Sequence, residues 1–227
     1  MKDRPLHIGR YYPSFLTDCL LKQWIMYKNP SLVPPKKTRA MMLGSMYDDI
    51  VYEAIRSLPE EEAEKIGLKL IAVEKLVELK IAEDAVIAGR CDAVIELEGR
   101  KYVMEIKNTK TLDRQGRFFM IYPGWILQLN LYMHMLGIRQ GILYVFTREK
   151  LDRHIFRVPY SRRLAEVMIG RALQLHGSLK SDIPPPPEPS KRCDWCYYKI
   201  KSICMNLRMQ KPLSAYGEAG IIYSMLE

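Results

Sequence analysis

Asparagine and glutamine are scarce in this chain, four and six among 227 residues. A shortage of these heat-labile amides leans towards a thermostable protein. No apolar run approaches the roughly 20 residues that a membrane-spanning helix needs. The opening stretch, MKDRPLHIGRYYPSF, holds no apolar signal-peptide core, so a cytoplasmic protein with no membrane partner is the expectation. Cysteine is sparse too. Five cysteines, unevenly placed, do not make the disulfide framework of a secreted domain. Acidic residues are outnumbered, 26 Asp and Glu against 35 Lys and Arg, for a net charge of +9. That balance favours a polyanionic partner such as nucleic acid, though charge alone is a weak guide.

What is present is an alternation of periodic segments long enough for one large domain, with or without a small appendage. Residues 13–28 read as a helix, with Ser14 or Thr17 able to cap it and Pro30, Pro34 and Pro35 ending it. A second helix is expected over 38–57, burying Met42, Met46 and Ile50, with Ala54 on the same four-residue spacing. Glu60 to Glu64 reads as a solvated helical turn. Strands follow over 70–81, 85–97 and 101–108. Next come a loop or helix start over 116–122, a helix over 122–136, strands over 141–147 and 154–158, and a helix over 161–179. The stretch from Ile183 to Pro189, IPPPPEP, must be extended and works as a stiff strap. The order predicts a mixed α/β domain, with a helical cap built from both chain ends.

The most informative stretch is CDAVIELEGRKYVMEIK, residues 91–107. Glu98-Gly99 suits a two-residue hairpin turn. Counting back from it pairs Leu97 with Arg100, Val94 with Val103 and Asp92 with Glu105. Opposed residues share a face, and Lys107 shares the face of Glu105. The turn therefore predicts two carboxylates and an ammonium in one cluster. Two close carboxylates repel unless a positive charge sits between them, and oxygen ligands suit Mg²⁺ or Mn²⁺. A solvated edge hairpin is the competing reading. Lys110, Arg114 and Arg117 follow this strand and could guide a DNA backbone, or form no more than a solvated basic loop. His7, His134, His154 and His176 stand in no evident motif.

Cys193, Cys196 and Cys204 form a C-x2-C-x7-C triplet and lack a fourth ligand. Cys91 points towards the core by strand alternation, which leaves Cys19 as the better partner. Zinc and an iron–sulfur cluster both fit four thiolates, and spacing does not separate them.

Gly89-Arg-Cys-Asp92, Glu105-Ile-Lys107 and Gln128-Leu-Asn-Leu-Tyr132 together resemble the G-x-x-D, E-x-K and Q-x-x-x-Y motifs of the RecB-like branch of the PD-(D/E)XK nuclease superfamily. One early and three late cysteines narrow the resemblance to the iron–sulfur exonucleases of the fourth CRISPR-associated protein family. The likeness spans residues 13–204. It implies an α/β RecB-like core over 38–182 with a mixed central sheet flanked by helices. Segments 1–37 and 183–227 would be joined by a 4Fe–4S or 2Fe–2S cluster on Cys19, Cys193, Cys196 and Cys204. It further implies a metal-dependent nuclease acting mainly on single-stranded DNA as an exonuclease, with endonuclease action also open, which processes ends for CRISPR spacer acquisition beside integrase proteins. Asp92, Glu105 and the Ile106 carbonyl would hold Mg²⁺ or Mn²⁺. Lys107 would orient or help deprotonate water, and Gln128 and Tyr132 would contact the phosphate or steady the lysine. The family's Gly-x-x-x-His appears here as Gly44-Ser-Met-Tyr-Asp48, which makes Asp48 the candidate for the missing ligand. The rival class is a non-catalytic nucleic-acid-binding protein with a structural metal–cysteine staple.

Overall fold

The computed structural model describes residues 6–32, 39–112, 114–115, 118–119, 121–200, 204 and 224–225. In chain order the elements are β1 (Arg10–Tyr11), α1 (Pro13–Leu16), α2 (Leu20–Lys28), α3 (Arg39–Arg56), α4 (Glu60–Lys65), β2 (Leu68–Ala82), β3 (Ala85–Leu97) and β4 (Arg100–Thr109). There follow β5 (Arg114–Gln115), β6 (Phe118–Phe119), α5 (Pro123–Leu136), β7 (Gln140–Thr147), β8 (Arg153–Pro159), α6 (Arg162–Ser181), α7 (Tyr197–Ile200) and β9 (Ser224–Met225).

Glu98 and Gly99 take φ angles of 51° and 74°, the paired left-handed turn whose twist matches antiparallel strands. The register that follows is the one counted from the sequence, Leu97↔Arg100 through Ala93↔Met104. β3 also pairs antiparallel with β2 and, over two residues, parallel with β1. β4 runs parallel to β7, so α5 is the crossover of a βαβ unit, and β7 pairs with β8, which meets β9. The sheet order is β1-β3-β4-β7-β8-β9, with β2 alongside β3.

α5 starts on Pro123 and stops at Gly137, whose φ of 67° lets its N–H and that of Ile138 return to the His134 and Met133 carbonyls. The Asn130 side chain accepts the Ser161 N–H at 2.7 Å, locking α5 to the start of α6. The main core lies where α1, α2, α5 and α6 meet the sheet, with Leu16, Leu20, Leu129, Leu143 and Met168 fully buried. A second cluster, Tyr52, Ala93, Ile95, Met104 and Ile142, lies where α3 meets the sheet. No described helix is long and apolar enough to cross a membrane.

Four expectations need correction. The helix over 13–28 is two helices, α1 and α2, and Cys19 is the N-cap of the second, so it sits at a break. Neither Ser14 nor Thr17 is an N-cap; Thr17 Oγ1 instead donates to the Ser14 carbonyl at 2.9 Å. On α3, Met46 and Ile50 are 59% and 57% exposed and Ala54 is exposed as well. Four-residue spacing drifts round a helix of 3.6 residues per turn, and the face turned inward carries Val51, Tyr52 and Ile55. The Met42 side chain lies outside the described residues. His176 is also not idle: it is buried, with Nδ1 2.7 Å from the Tyr11 hydroxyl and Nε2 3.0 Å from Asp84.

Candidate active site

The β3–β4 ladder runs only as far as Ala93↔Met104. At the next position Asp92 does not enter a ladder pair with Glu105. Its carboxylate accepts the Ile106 backbone N–H at 2.8 Å instead. β4 keeps its partner β7 as far as Thr109, while β3 keeps β2. Asp92, Glu105 and Lys107 therefore stand where β3 and β4 part. Cys91 belongs to the main core, whereas Ala93 packs in the second cluster, so side-chain alternation breaks at Asp92. Across from it in the register, Glu74 has a φ of 47° inside β2, a conformation uncommon for a non-glycine residue. The Glu74 carboxylate takes the Arg90 guanidinium at 3.2 Å.

Glu105 is fully buried. Its Oε1 accepts the Lys107 ammonium and the Gln128 amide, the latter at 2.7 Å, while its Oε2 is buried without a hydrogen-bond partner. Burial and then Asp92 push Glu105 up to about 8. Burial also raises Asp92. Asp48 is pushed up to about 7, by burial first and by Asp92 next. Lys107 is half-buried, and desolvation would lower it, but the Glu105, Asp92 and Asp48 carboxylates outweigh this and raise it, so it keeps its proton. Tyr52, one turn beyond Asp48, is raised by burial and then by Asp92 and Asp48. The sequence reading missed Tyr52. Its i+4 spacing from Asp48 was the available signal.

Gln128 and Tyr132 divide their tasks. Gln128 reaches Glu105 rather than Lys107. Tyr132 is buried in the main core, where its ring lies against Gly89. Lys110 is exposed, Arg114 lies in β5 with its side chain outside the described residues, and Arg117 lies outside them altogether. Gly44 and Asp48 both lie on α3.

A second group of candidates gathers at the α1–α2 break. Cys19, Cys196 and Cys204 pack round Leu21, Ile25 and Tyr198, and Cys193 lies one short turn before Cys196. Cys91 is elsewhere, with its thiol donating to the Ala93 carbonyl at 3.2 Å. The corner is fastened by two residues that the sequence reading did not single out. Arg171 on α6 donates to the Leu16 and Asp18 carbonyls at 2.6 and 2.7 Å and forks onto Glu188 of the proline strap. Glu188 Oε2 in turn accepts the Leu20 N–H at 2.8 Å, at the open end of α2. The Arg192 guanidinium stacks 4.0 Å over Tyr122, whose hydroxyl donates to the Thr17 carbonyl, so the corner also touches the start of α5.

Among the described residues, no group of three or more His, Cys, Asp or Glu side chains is drawn up as a metal site. The donors nonetheless suit metals. The unpartnered Glu105 Oε2, among carboxylates that raise one another, fits a hard divalent cation. Soft thiols round Tyr198, whose buried hydroxyl also lacks a partner, fit a metal–sulfur group. Burial, with Cys196 adding to it, pushes the Tyr198 phenol up to about 12.

The site is a mixed sheet whose central hairpin parts over two acids and a lysine, backed by a crossover helix that steadies one of them. The profile of the PD-(D/E)XK nuclease superfamily matches residues 16–204, and the chain belongs to that superfamily. Among solved structures the fold is similar to that of SSO0001, with TM-score 0.59, 18% identity and 87% of each chain covered. It is also similar to an alkaline exonuclease from Laribacter hongkongensis, with TM-score 0.51, 10% identity, and 78% of this chain and 90% of the other covered. That exonuclease has also been solved in complex with dAMP, with TM-score 0.50, 11% identity and the same coverage. No curated protein matches the chain.

Proposed function

We propose that the chain is a divalent-metal-dependent deoxyribonuclease. It acts mainly as an exonuclease on single-stranded DNA, can also cut internally, and trims ends for CRISPR spacer acquisition in the cytoplasm beside integrase proteins. Residues 38–182 form the catalytic core, and segments 1–37 and 183–227 are joined by an iron–sulfur cluster, 4Fe–4S or 2Fe–2S, on Cys19, Cys193, Cys196 and Cys204. The observation that carries the catalytic reading is the buried, unpartnered Glu105 Oε2 beside Asp92 and Asp48. DNA as substrate is supported by the net charge of +9 and by the likeness to an exonuclease solved with dAMP. The one-plus-three cysteine frame supports the CRISPR-associated assignment.

Asp48, Asp92, Glu105 and the Ile106 carbonyl would hold Mg²⁺ or Mn²⁺. When bound, the ion neutralises charge on the phosphate and lowers the pKa of the attacking water. Gln128 holds Glu105 in orientation through its amide. Lys107, kept protonated by its carboxylate neighbours, offers a fixed positive charge to the charge that develops on the phosphate. Lys110, Arg114 and Arg117 follow on the DNA path as backbone contacts.

The test uses end-labelled single- and double-stranded DNA with Mg²⁺ or Mn²⁺, on wild type, Glu105→Gln and Lys107→Ala. Wild type should shorten single strands, and both variants should bind DNA without cutting it. Full cleavage by Glu105→Gln would sink the site assignment. Wild type that binds but never cuts would favour the non-catalytic reading.

A further inference from the structure

Other tyrosines in this half of the molecule, Tyr11 and Tyr27 buried and Tyr122 half-buried, have partners for their hydroxyls. Tyr27 donates to the Arg10 carbonyl at 2.6 Å, Tyr122 to the Thr17 carbonyl at 2.8 Å, and Tyr11 lies 2.7 Å from His176. Tyr198 is the exception. It is 1% exposed, and its hydroxyl is the one buried hydroxyl among the described residues with no hydrogen-bond partner. A buried donor left unmade costs about 1–3 kcal/mol, so such a group calls for an explanation.

The surroundings supply one. Tyr198 forms a small cluster with Leu21 and Ile25, and the side chains packed on it include Cys19, Cys196 and Cys204. Its own carbonyl accepts the Cys204 N–H at 3.1 Å, which holds that cysteine against it. The Tyr197 ring meets it edge-on, with centroids 5.4 Å apart. Sulfur is what the three cysteines packed on this cluster bring to it. A neutral thiol is a weak acceptor, whereas a thiolate or sulfide bound to iron is a strong one.

We infer that the Tyr198 hydroxyl donates a hydrogen bond to a sulfur of the iron–sulfur group held by Cys19, Cys193, Cys196 and Cys204, and thereby sets that group's reduction potential. The inference rests on the cluster reading given above. Hydrogen bonds to cluster sulfurs stabilise the more negative, reduced state and raise the potential. Tyr198 is thus a positioning and tuning residue for the cluster. It has no part in the carboxylate site.

The full-length chain, purified without oxygen, would be compared as wild type, Tyr198→Phe and Tyr197→Phe. The readouts are iron per chain, iron–sulfur stretching frequencies by resonance Raman, and midpoint potential. Tyr198→Phe should keep its iron, shift the stretching bands and move to a more negative potential, while Tyr197→Phe should match wild type. Iron-loaded Tyr198→Phe with unchanged bands and potential would overturn the donor role alone. Loss of iron in that variant would also overturn it, by making the residue a folding determinant. Wild type free of iron would overturn the cluster reading and this inference together, leaving the nuclease reading to its own test.

Discussion

Gly89 and Tyr132 compete for the same space. A Cβ built on Gly89 would lie 2.8 Å from the Tyr132 hydroxyl and ring edge and 2.9 Å from Pro13. The glycine of the first motif is therefore what lets the tyrosine of the third sit behind β3. Gly89→Ala should destabilise the fold by about 1–3 kcal/mol, the usual cost of overpacking. Added to Tyr132→Ala, the same change should cost much less. Additive losses in chemical denaturation of the double variant would show that the contact is not the cause.

The acid cluster predicts an unusual pH dependence for the metal-free protein. Asp48 rises from 3.8 to about 7 and Glu105 from 4.5 to about 8 on folding. Between those limits the folded chain binds more protons than the unfolded one. Their contribution to stability is full below about pH 4 and is lost as pH climbs through about 7 and 8. With chelator present, the melting temperature should fall from about pH 5 to pH 8, Asp48→Asn should flatten part of that fall, and Mg²⁺ should reverse it. A metal-free melting temperature that rises across this window would contradict the cluster's geometry.

The sequence resemblance puts Asp48 at the place of the motif's histidine. Asp48→Ala should lower cleavage by roughly 10²-fold or more if a few kcal/mol of charge stabilisation are lost. Asp48→His should stay active and shift its preference towards Mn²⁺, since imidazole is the softer ligand. Near-wild-type rates and metal dependence in Asp48→Ala would leave the metal to Asp92, Glu105 and the Ile106 carbonyl.

The buried fork between Arg171 and Glu188 predicts a large stability effect away from the carboxylates. Glu188→Gln or Arg171→Met should cost about 3–5 kcal/mol, because each strands a buried polar or charged partner. Replacing both by apolar residues of similar size should restore part of the loss. Differential scanning calorimetry decides the matter, and a single-variant loss under 1 kcal/mol would refute the fork as the fastener.

The hairpin was legible because a two-residue turn dictates register, and register is a local matter. The same count overshot by one pair at Asp92, because leaving the ladder is decided by the Ile106 N–H and the twist at Glu74, which no periodicity encodes. The α1–α2 break escaped notice since residues 13–28 carry no glycine or internal proline to announce it. Arg171 left a readable trace: it interrupts the buried stripe of Leu164, Met168, Leu175 and Leu179. Its partner, the acid of a proline run 17 residues on, comes into view only once the chain has folded back.

The Leu20–Glu188 hydrogen bond joins residues 168 positions apart. At about 5–20 residues per second of synthesis, roughly 8–34 s separate the emergence of one from the other. The turn bearing Cys19 is thus made well before the residue that completes it. It must wait on the ribosome with its hydrogen-bond donors open until α6 and the strap arrive. A group bridging Cys19 to Cys193, Cys196 and Cys204 would therefore have to wait until strands β1 to β8 have been made.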